Sequence, residues 1–202
     1  MKAIIGKKIG MTRIFSENGK IIPVTLIMVE DNIVTQIKNI EKDGYEAVQI
    51  ALLEEKKIAK PQKGHLAKVN IKSRHIKEVA KLETEVQVGD KVTIDQFTKG
   101  ENVNVTGISK GKGFAGTVKR HGFHLGPKTH GSDNYSKPGS IGSMYPQRVI
   151  KGRRMAGHLG AEQVTVKNLE ISHIDEQDKV IWLKGAIPGA NKGFVFVWSN
   201  ND

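Results

Sequence analysis

The residues best suited to chemistry lie between positions 110 and 160, where glycines alternate with basic side chains. GKGFAG, from Gly111 to Gly116, has the glycine spacing of a dinucleotide-binding loop and follows a predicted strand. That interpretation also needs a helix, a second parallel strand and an acidic residue about 20 positions further on. Asp133 has roughly that spacing, but it lies in the loop HGSDNYS with no strand before it. Lys112 is followed by Gly113 rather than Ser or Thr, unlike the phosphate loop of nucleotide hydrolases. What remains is a glycine-rich backbone that can approach phosphate oxygens closely.

Four of the seven histidines lie in the same segment, and histidine is a common zinc ligand. They are His121, His124, His130 and His158. Their spacing fits no compact ligand set, their neighbours are lysines and arginines, and the chain has no cysteine for a thiolate site. No paired carboxylates share a pocket-like context. We therefore predict that the protein is not an enzyme, with no catalytic residues, no metal, no cofactor and no small-molecule substrate.

The positive charge is concentrated in two segments. Thirty-two Lys and Arg against 21 Asp and Glu give the 202 residues a net charge of +11. Residues 56–81 contribute +8 and residues 110–160 contribute +9, whereas the remaining stretches are mildly acidic. Because like charges crowded into one segment repel one another, such blocks indicate contact surfaces for a polyanion. For residues 56–81, a solvated basic face and an RNA contact remain equally open interpretations.

The stretches outside the basic segments have the pattern of β-strands. They are rich in β-branched residues, several alternate, and Gly, Pro, Asn or Asp usually separates them. The predicted strands are 21–29, 33–37, 45–53, 86–94, 103–108, 164–174, 180–187 and 194–198. This pattern predicts a mainly β fold, a small closed or nearly closed antiparallel barrel to which both ends of the chain contribute. A short basic insertion, residues 56–82, is expected to be helical in part, within 65–81.

Residues 110–160 have a different composition from the predicted strands. They include 11 glycines, and only 14 of the 51 residues are apolar. Such a stretch cannot offset its ordering entropy by burial, so we expect it to be flexible alone and ordered against a polyanion. The predicted domains are a barrel from residues 1–109 and 161–202, and an extended loop from 110–160. No apolar run reaches the roughly 18 residues of a membrane span, so we expect a cytoplasmic protein with no membrane partner.

Several blocks of the sequence together resemble one known family. The blocks are GKKIGMTRIF (6–15), IPVTLI (22–27), VTQIK (34–38), DGYEAVQI (43–50), THG (129–131), PGSIG (138–142), VIKGRRMAGHLG (149–160) and LKGAIPG (183–189). The most specific block runs from Phe97 through Asn104 and Gly107 to SKGKGFAGTVKR, which ends at Arg120. Over essentially the whole chain, these blocks resemble the bacterial members of the ribosomal protein L3 family.

The resemblance implies a translation-protein-like β-barrel with a long glycine-rich, basic extension that runs into the ribosomal RNA (rRNA). It also implies a structural constituent of the large ribosomal subunit, located in the ribosome. Such a protein is expected to bind 23S-type rRNA near its 3′ end, early in subunit assembly, with the extension reaching toward the peptidyl-transferase centre. Neighbouring large-subunit ribosomal proteins are the other expected partners.

We predict three kinds of rRNA-binding residue in this segment. The expected phosphate contacts are Lys110, Lys112, Lys119, Arg120, Lys128, Lys137, Arg148, Lys151, Arg153 and Arg154. The glycines that permit close backbone approach are Gly111, Gly113 and Gly116. Candidate base or ribose contacts are His121, His124, His130, Tyr135, Met144 and Tyr145. Two alternatives stay open: a general nucleic-acid-binding protein outside the ribosome, and a nucleotide-dependent enzyme that uses GKGFAG.

Overall fold

The structure, a computed structural model, describes residues 1–16, 18–53, 57–80 and 86–199. Within these ranges the strands are β1 (Lys2–Phe15), β2 (Ile21–Met28), β3 (Asn32–Lys38), β4 (Ala47–Leu52), β5 (Ile76–Val79), β6 (Lys91–Val92), β7 (Asn102–Ile108), β8 (Phe114–Ala115), β9 (Gly157–His158), β10 (Gln163–Asp175), β11 (Val180–Lys184) and β12 (Phe194–Ser199). The α-helices are α1 (Ile40–Asp43), α2 (Lys60–His65) and α3 (Thr117–His121). Single 3₁₀ turns lie at Leu66–Lys68 and Ile94–Gln96.

The described chain divides into two compact units. The barrel unit comprises Met1–Ile108 and the described residues from Gln163 onward, and the glycine-rich unit comprises Ser109–Glu162. Residues 56, 81 and 82 of the predicted insertion lie outside the described ranges. So do residues 17, 54, 55, 83–85 and 200–202 of the predicted barrel. No helix in the described residues is long and apolar enough to cross a membrane.

Six antiparallel strands of the barrel unit close into a barrel in the order β1-β12-β7-β10-β11-β2. This confirms the predicted mainly β fold with a small closed antiparallel barrel, built from both ends of the chain. Side chains alternate between the two faces of each strand, so every second residue points into the barrel. On β7, for example, Val103 and Val105 are fully buried, and they pack with Ile27, Ile181 and Leu183 from other strands.

Strand β1 was not among the predicted strands, although it is the longest in the described chain. Its first half pairs with β12 and its second half with β2, with an irregularity in register between Lys8 and Gly10. Lysines within the run hide its apolar pattern. Lys8 is nevertheless buried, and its Nζ donates to the carbonyl oxygens of Ile187 at 3.0 Å and Gly189 at 3.2 Å. A buried ammonium is tolerated here because backbone carbonyls replace its water.

A second sheet, in the order β5-β4-β3-β6, packs against the outer face of β1. Ile5 on β1 lies in one apolar cluster with Val34 and Ile50 of this sheet. The fully buried amide of Asn32 joins the two sheets: Nδ2 donates to Ile5 O at 2.9 Å, and Oδ1 accepts from Ile5 N at 3.0 Å. The side chain thus bonds both backbone polar groups of Ile5, as a neighbouring strand would.

Two predicted elements of the barrel unit differ from the structure in extent. The predicted strand 86–94 is wrong over most of its length, since only Lys91–Val92 form a strand and a 3₁₀ turn follows. A tight turn precedes that strand, with Gly89 at φ +104° and Asp90 Oδ2 accepting from Gln87 N at 2.7 Å. The described part of the basic insertion is partly helical, but the helix α2 (Lys60–His65) lies almost entirely before the predicted range 65–81. The described part of that range contains a 3₁₀ turn at Leu66–Lys68 and the strand β5 instead. Helix α2 contacts the sheet through His65 Nε2, which lies 2.7 Å from Gln49 Oε1.

Candidate nucleic-acid interface

The two ends of the glycine-rich unit run side by side in antiparallel directions. Ser109 N donates to Glu162 O at 2.9 Å, Lys112 N to Leu159 O at 2.9 Å, and Leu159 N to Gly113 O at 3.0 Å. Strands β8 and β9 continue this ladder. The GKGFAG motif is therefore one side of a two-stranded stem and does not lead into a dinucleotide-binding βαβ unit.

Gly160 is the residue on which this stem depends most closely. It is buried, its φ is +75°, and a Cβ at this position would lie 2.2 Å from Lys110 O. Only glycine adopts such a conformation without strain and also leaves room for a backbone this close. The stem geometry thus requires glycine at position 160.

The short helix α3 lies between Gly116 and Gly122. The φ of Gly122 is +71°, the left-handed conformation common directly after a helix. Two basic residues of α3 face the returning chain. Arg120 Nη1 donates to Met155 O at 2.9 Å, and His121 Nε2 lies 3.0 Å from the same oxygen. Both side chains are half-buried. They therefore hold the unit together, in addition to any role at its surface.

Between α3 and β9 the described chain has no helix or strand and is held by isolated contacts. Gly126 N donates to Tyr135 O at 2.8 Å, which closes a loop, and Lys128 Nζ lies 5.3 Å from the centroid of the Tyr135 ring. Further along, Arg153 Nη2 donates to Ser140 O at 2.6 Å. Such sparse contacts, with little burial, leave most side chains on the surface.

The structure places almost all the predicted site residues at the surface. The exposed ones are Lys110, Gly111, Lys112, Gly113, Gly116, Lys119, His124, Lys128, His130, Lys137, Met144, Tyr145, Arg148, Lys151, Arg153 and Arg154. Arg120, His121 and Tyr135 are half-buried. Met144 and Tyr145, which are adjacent in the chain, retain 91% and 85% of their accessible surface.

Sequence reasoning passed over two features of this unit. Phe114, inside GKGFAG, is 81% exposed and lies in β8 directly after the Gly111–Gly113 stretch. The sequence feature that could have identified Phe114 is an aromatic residue among glycines and lysines, a combination typical of nucleic-acid contact. The second feature is a cavity of about 440 Å³ with Lys137, Arg154 and His124 in its wall. These residues are distant in sequence, so no local motif identifies them.

The electrostatics of the unit are unusual because its basic groups are unpaired. Across Ser109–Glu162, all of which the structure describes, no Lys or Arg side chain has a carboxylate within 4 Å. The barrel unit, by contrast, contains several ion pairs. Asp31, for example, forms salt bridges with both Lys91 and Lys179. The histidines His121, His124, His130 and His158 are not brought together, and the described residues contain no cluster of three metal-ligating side chains.

Comparison with known proteins identifies the family. The sequence model for Ribosomal protein L3 matches residues 25–186. This chain belongs to the ribosomal protein L3 family. It is 49% identical to large ribosomal subunit protein uL3 of Exiguobacterium sibiricum, in an alignment covering 97% of this chain and 96% of that protein. It is also 49% identical to uL3 of Geobacillus kaustophilus, covering 98% and 95%, and 50% identical to uL3 of Mycoplasmopsis pulmonis, covering 98% and 76%. The L3 family consists of structural proteins, so the prediction that the chain is not an enzyme is confirmed.

Proposed function

We propose that this protein is a structural constituent of the large ribosomal subunit and that its glycine-rich unit binds 23S-type rRNA. Membership of the L3 family supports the first part. The family resemblance motivates the finer parts: binding near the 3′ end of the rRNA early in assembly, the unit reaching toward the peptidyl-transferase centre, and contacts with neighbouring large-subunit proteins.

The observation that carries the rRNA-binding part is the set of exposed, unpaired basic side chains on the glycine-rich unit. The unit contains ten Lys and Arg residues but two acidic residues, Asp133 and Glu162. None of the ten basic residues forms a salt bridge with a described carboxylate. A folded surface that serves only to stay in solution mixes its signs. Binding to a polyanion is favourable for a surface of unpaired cations, because each phosphate contact releases a condensed counterion.

The proposed mechanism is charge neutralisation coupled to ordering. Glycine backbones come close to phosphates, lysines and arginines neutralise them, and the exposed Tyr145 and Met144 contact bases or ribose. Arg120, His121 and Arg153 already donate to carbonyls of the unit itself, so they are expected to shape the surface as well as to contact RNA. Lys110, Lys112 and Arg154 form no side-chain hydrogen bond or ion pair within the described chain, so they are expected to bind phosphates directly.

The test is a salt titration of binding to folded large-subunit rRNA, with duplex DNA in excess as competitor. If about ten charges meet phosphates, log K should fall with log[salt] at a slope of roughly −7 to −9. Binding that duplex DNA removes equally well would instead indicate a general nucleic-acid-binding protein. Saturable binding of a free nucleotide to the isolated protein would indicate the enzyme alternative.

A matched pair of double variants locates the contact. Lys110→Ala with Lys112→Ala removes two exposed lysines of the glycine-rich unit, and Lys42→Ala with Lys99→Ala removes two exposed lysines of the barrel unit. The first pair should flatten the slope by up to about 2, and the second should leave it unchanged. Equal effects would contradict the assignment of the interface to the glycine-rich unit. Hydroxyl-radical footprinting of the bound rRNA would test the proposed site near its 3′ end.

A further inference from the structure

A groove of about 560 Å³ lies in the barrel unit, between β5 and the outer face of the barrel. Phe194, Phe196 and Trp198 line it from β12, and all three are half-buried. They are alternate residues of one strand, so they share a face, while the intervening Val195 and Val197 are buried in the barrel core. The volume is within the roughly 300–1,000 Å³ typical of ligand pockets.

Basic side chains border this aromatic stripe. Arg74 and Lys77 line the groove and are exposed. Arg74 donates from Nε and Nη2 to Lys57 O at 2.9 and 2.7 Å, which orients the guanidinium and leaves Nη1 for an outside acceptor. Lys7 Nζ lies 6.0 Å from the centroid of the Phe194 ring. None of these three cations has a carboxylate within 4 Å among the described residues.

Glu78 is the one carboxylate among the lining residues, and its charge is already compensated. Its Oε1 lies 2.8 Å from Lys38 Nζ, and its Oε2 accepts from the Tyr45 hydroxyl at 2.8 Å. These two hydrogen bonds hold the pKa of Glu78 below its ordinary value, so the ion pair persists at neutral pH. The charge that an incoming ligand meets in the groove is therefore positive.

We propose that this groove binds a single-stranded stretch of RNA, with bases against Phe196 and Trp198 and phosphates on Arg74 and Lys77. A flat ring already stacks in the groove: His75 lies over Phe194 with ring centroids 3.5 Å apart and planes 27° apart. Aromatic platforms beside unpaired cations are the general means of holding unpaired nucleotides. The groove is thus a second RNA-binding surface, separate from the glycine-rich unit, and it gives a role to the basic 56–81 segment.

A protein segment is the other occupant that the geometry admits, because β5 is an outer strand of its sheet. A peptide added to that edge would gain backbone hydrogen bonds. Such a peptide would bring no regular series of negative charges to Arg74 and Lys77, which belong to the 56–81 segment of net charge +8. RNA supplies a phosphate at every residue, so the charge favours RNA.

Fluorescence of Trp198 reports occupancy of the groove directly. The full chain carrying Trp182→Phe retains Trp198 as its one tryptophan, and the substitution sacrifices no hydrogen bond, because Trp182 Nε1 is buried without a partner. Titration with a single-stranded RNA of about eight nucleotides, within the roughly 4–16 of known single-strand sites, should quench Trp198. Adding Arg74→Ala and Lys77→Ala should weaken the apparent affinity about tenfold or more.

Two controls separate the groove from the glycine-rich unit. Lys110→Ala with Lys112→Ala should leave the Trp198 quench intact while it lowers the affinity for folded rRNA. The two readouts therefore test the two proposals separately. Lys42→Ala with Lys99→Ala should change neither readout, and far-UV circular dichroism checks that each variant is folded. No quench by RNA, or a quench insensitive to Arg74→Ala and Lys77→Ala, would overturn the proposal. A quench by an extended Val/Thr peptide instead would assign the groove to protein.

Discussion

The barrel unit and the glycine-rich unit are ordered by different interactions. The barrel unit buries whole apolar side chains such as Ile4, Ile27 and Leu183, and it pairs many of its surface charges. In the glycine-rich unit, Ala115 is the one buried apolar residue of the described Ser109–Glu162 span. Backbone hydrogen bonds and side-chain contacts to carbonyls hold the rest of the unit. Burial is the main source of folding free energy. The contrast indicates that burial stabilises the barrel unit, whereas the glycine-rich unit has little buried apolar surface to stabilise it.

Truncating one isoleucine in each unit should separate the two units most clearly. Ile181 is fully buried in the barrel core and Ile150 is 61% exposed in the glycine-rich unit. Ile181→Ala should lower the free energy of unfolding by about 2–5 kcal/mol, through lost transfer energy and the cavity left behind. Ile150→Ala should change it by less than about 0.5 kcal/mol. Urea denaturation followed by circular dichroism measures both, and similar losses would show that the glycine-rich unit has a core of its own.

The next largest effect is expected at Gly160. Gly160→Ala places a Cβ against Lys110 O in a left-handed backbone, at a cost of about 1–3 kcal/mol local to the stem. The rRNA affinity should fall by roughly five- to a hundredfold, since the paired ends of the glycine-rich unit must separate. The midpoint of barrel unfolding should stay unchanged.

Gly142→Ala is the control for this stem substitution, because a Cβ there meets nothing within 4 Å and its φ is not positive. Filter binding gives the affinities, and amide exchange of Lys112 and Leu159 reports the stem. Retained protection of these amides in Gly160→Ala would contradict the expected opening.

A smaller effect distinguishes two adjacent arginines of the glycine-rich unit. Arg154→Ala should reduce the salt slope of rRNA binding by about 1, because it removes one phosphate contact and no internal bond. Arg153→Lys keeps the charge but loses the donor to Ser140 O, so it should weaken binding at every salt concentration and leave the slope unchanged. The measurement is the salt titration described above. A changed slope in Arg153→Lys would show that the guanidinium makes a phosphate contact that lysine does not replace.

The smallest expected effect concerns a surface charge that the barrel unit pairs internally. Burial of Glu101 raises its pKa, but the hydrogen bonds from Lys2 Nζ at 3.0 Å and Thr98 N at 3.1 Å outweigh burial, and the net pKa is lowered. A lowered folded-state pKa stabilises the fold above the ordinary value near 4.5, and this contribution is lost as the pH falls through the folded-state pKa. Lys2→Met should therefore cost about 1 kcal/mol at neutral pH, and its unfolding curve should converge with that of the unsubstituted protein in acid.

Lys184→Met provides the comparison for that pair, because Lys184 and Glu170 are each about half exposed and their bridge should contribute almost nothing. Urea titrations at pH 7 and in acid measure both variants. A constant difference between Lys2→Met and the unsubstituted protein across pH would exclude the ion pair as its cause.

The sequence predicted most of the barrel because alternation and β-branched residues are properties of single strands. It did not predict β1, since the stabilising partners of Lys8 are the carbonyls of Ile187 and Gly189, about 180 residues away. In the glycine-rich unit, the low apolar content predicted little burial, and the structure leaves most side chains of the unit exposed. They did not predict that Arg120 and His121 share the carbonyl of Met155, because such pairings depend on how the chain returns.

The pairing of Ile108 with Gln163 at the ends of β7 and β10 has a consequence for variation between related proteins. In the topology of the barrel, the residues between this pair form a single connection between the adjacent antiparallel strands β7 and β10. The entropic cost of closing such a connection grows only with the logarithm of its length, by about 0.6 kcal/mol for each doubling. Insertions and deletions inside it therefore cost the fold little. Natural selection can thus lengthen or shorten the glycine-rich unit while the barrel stays the same.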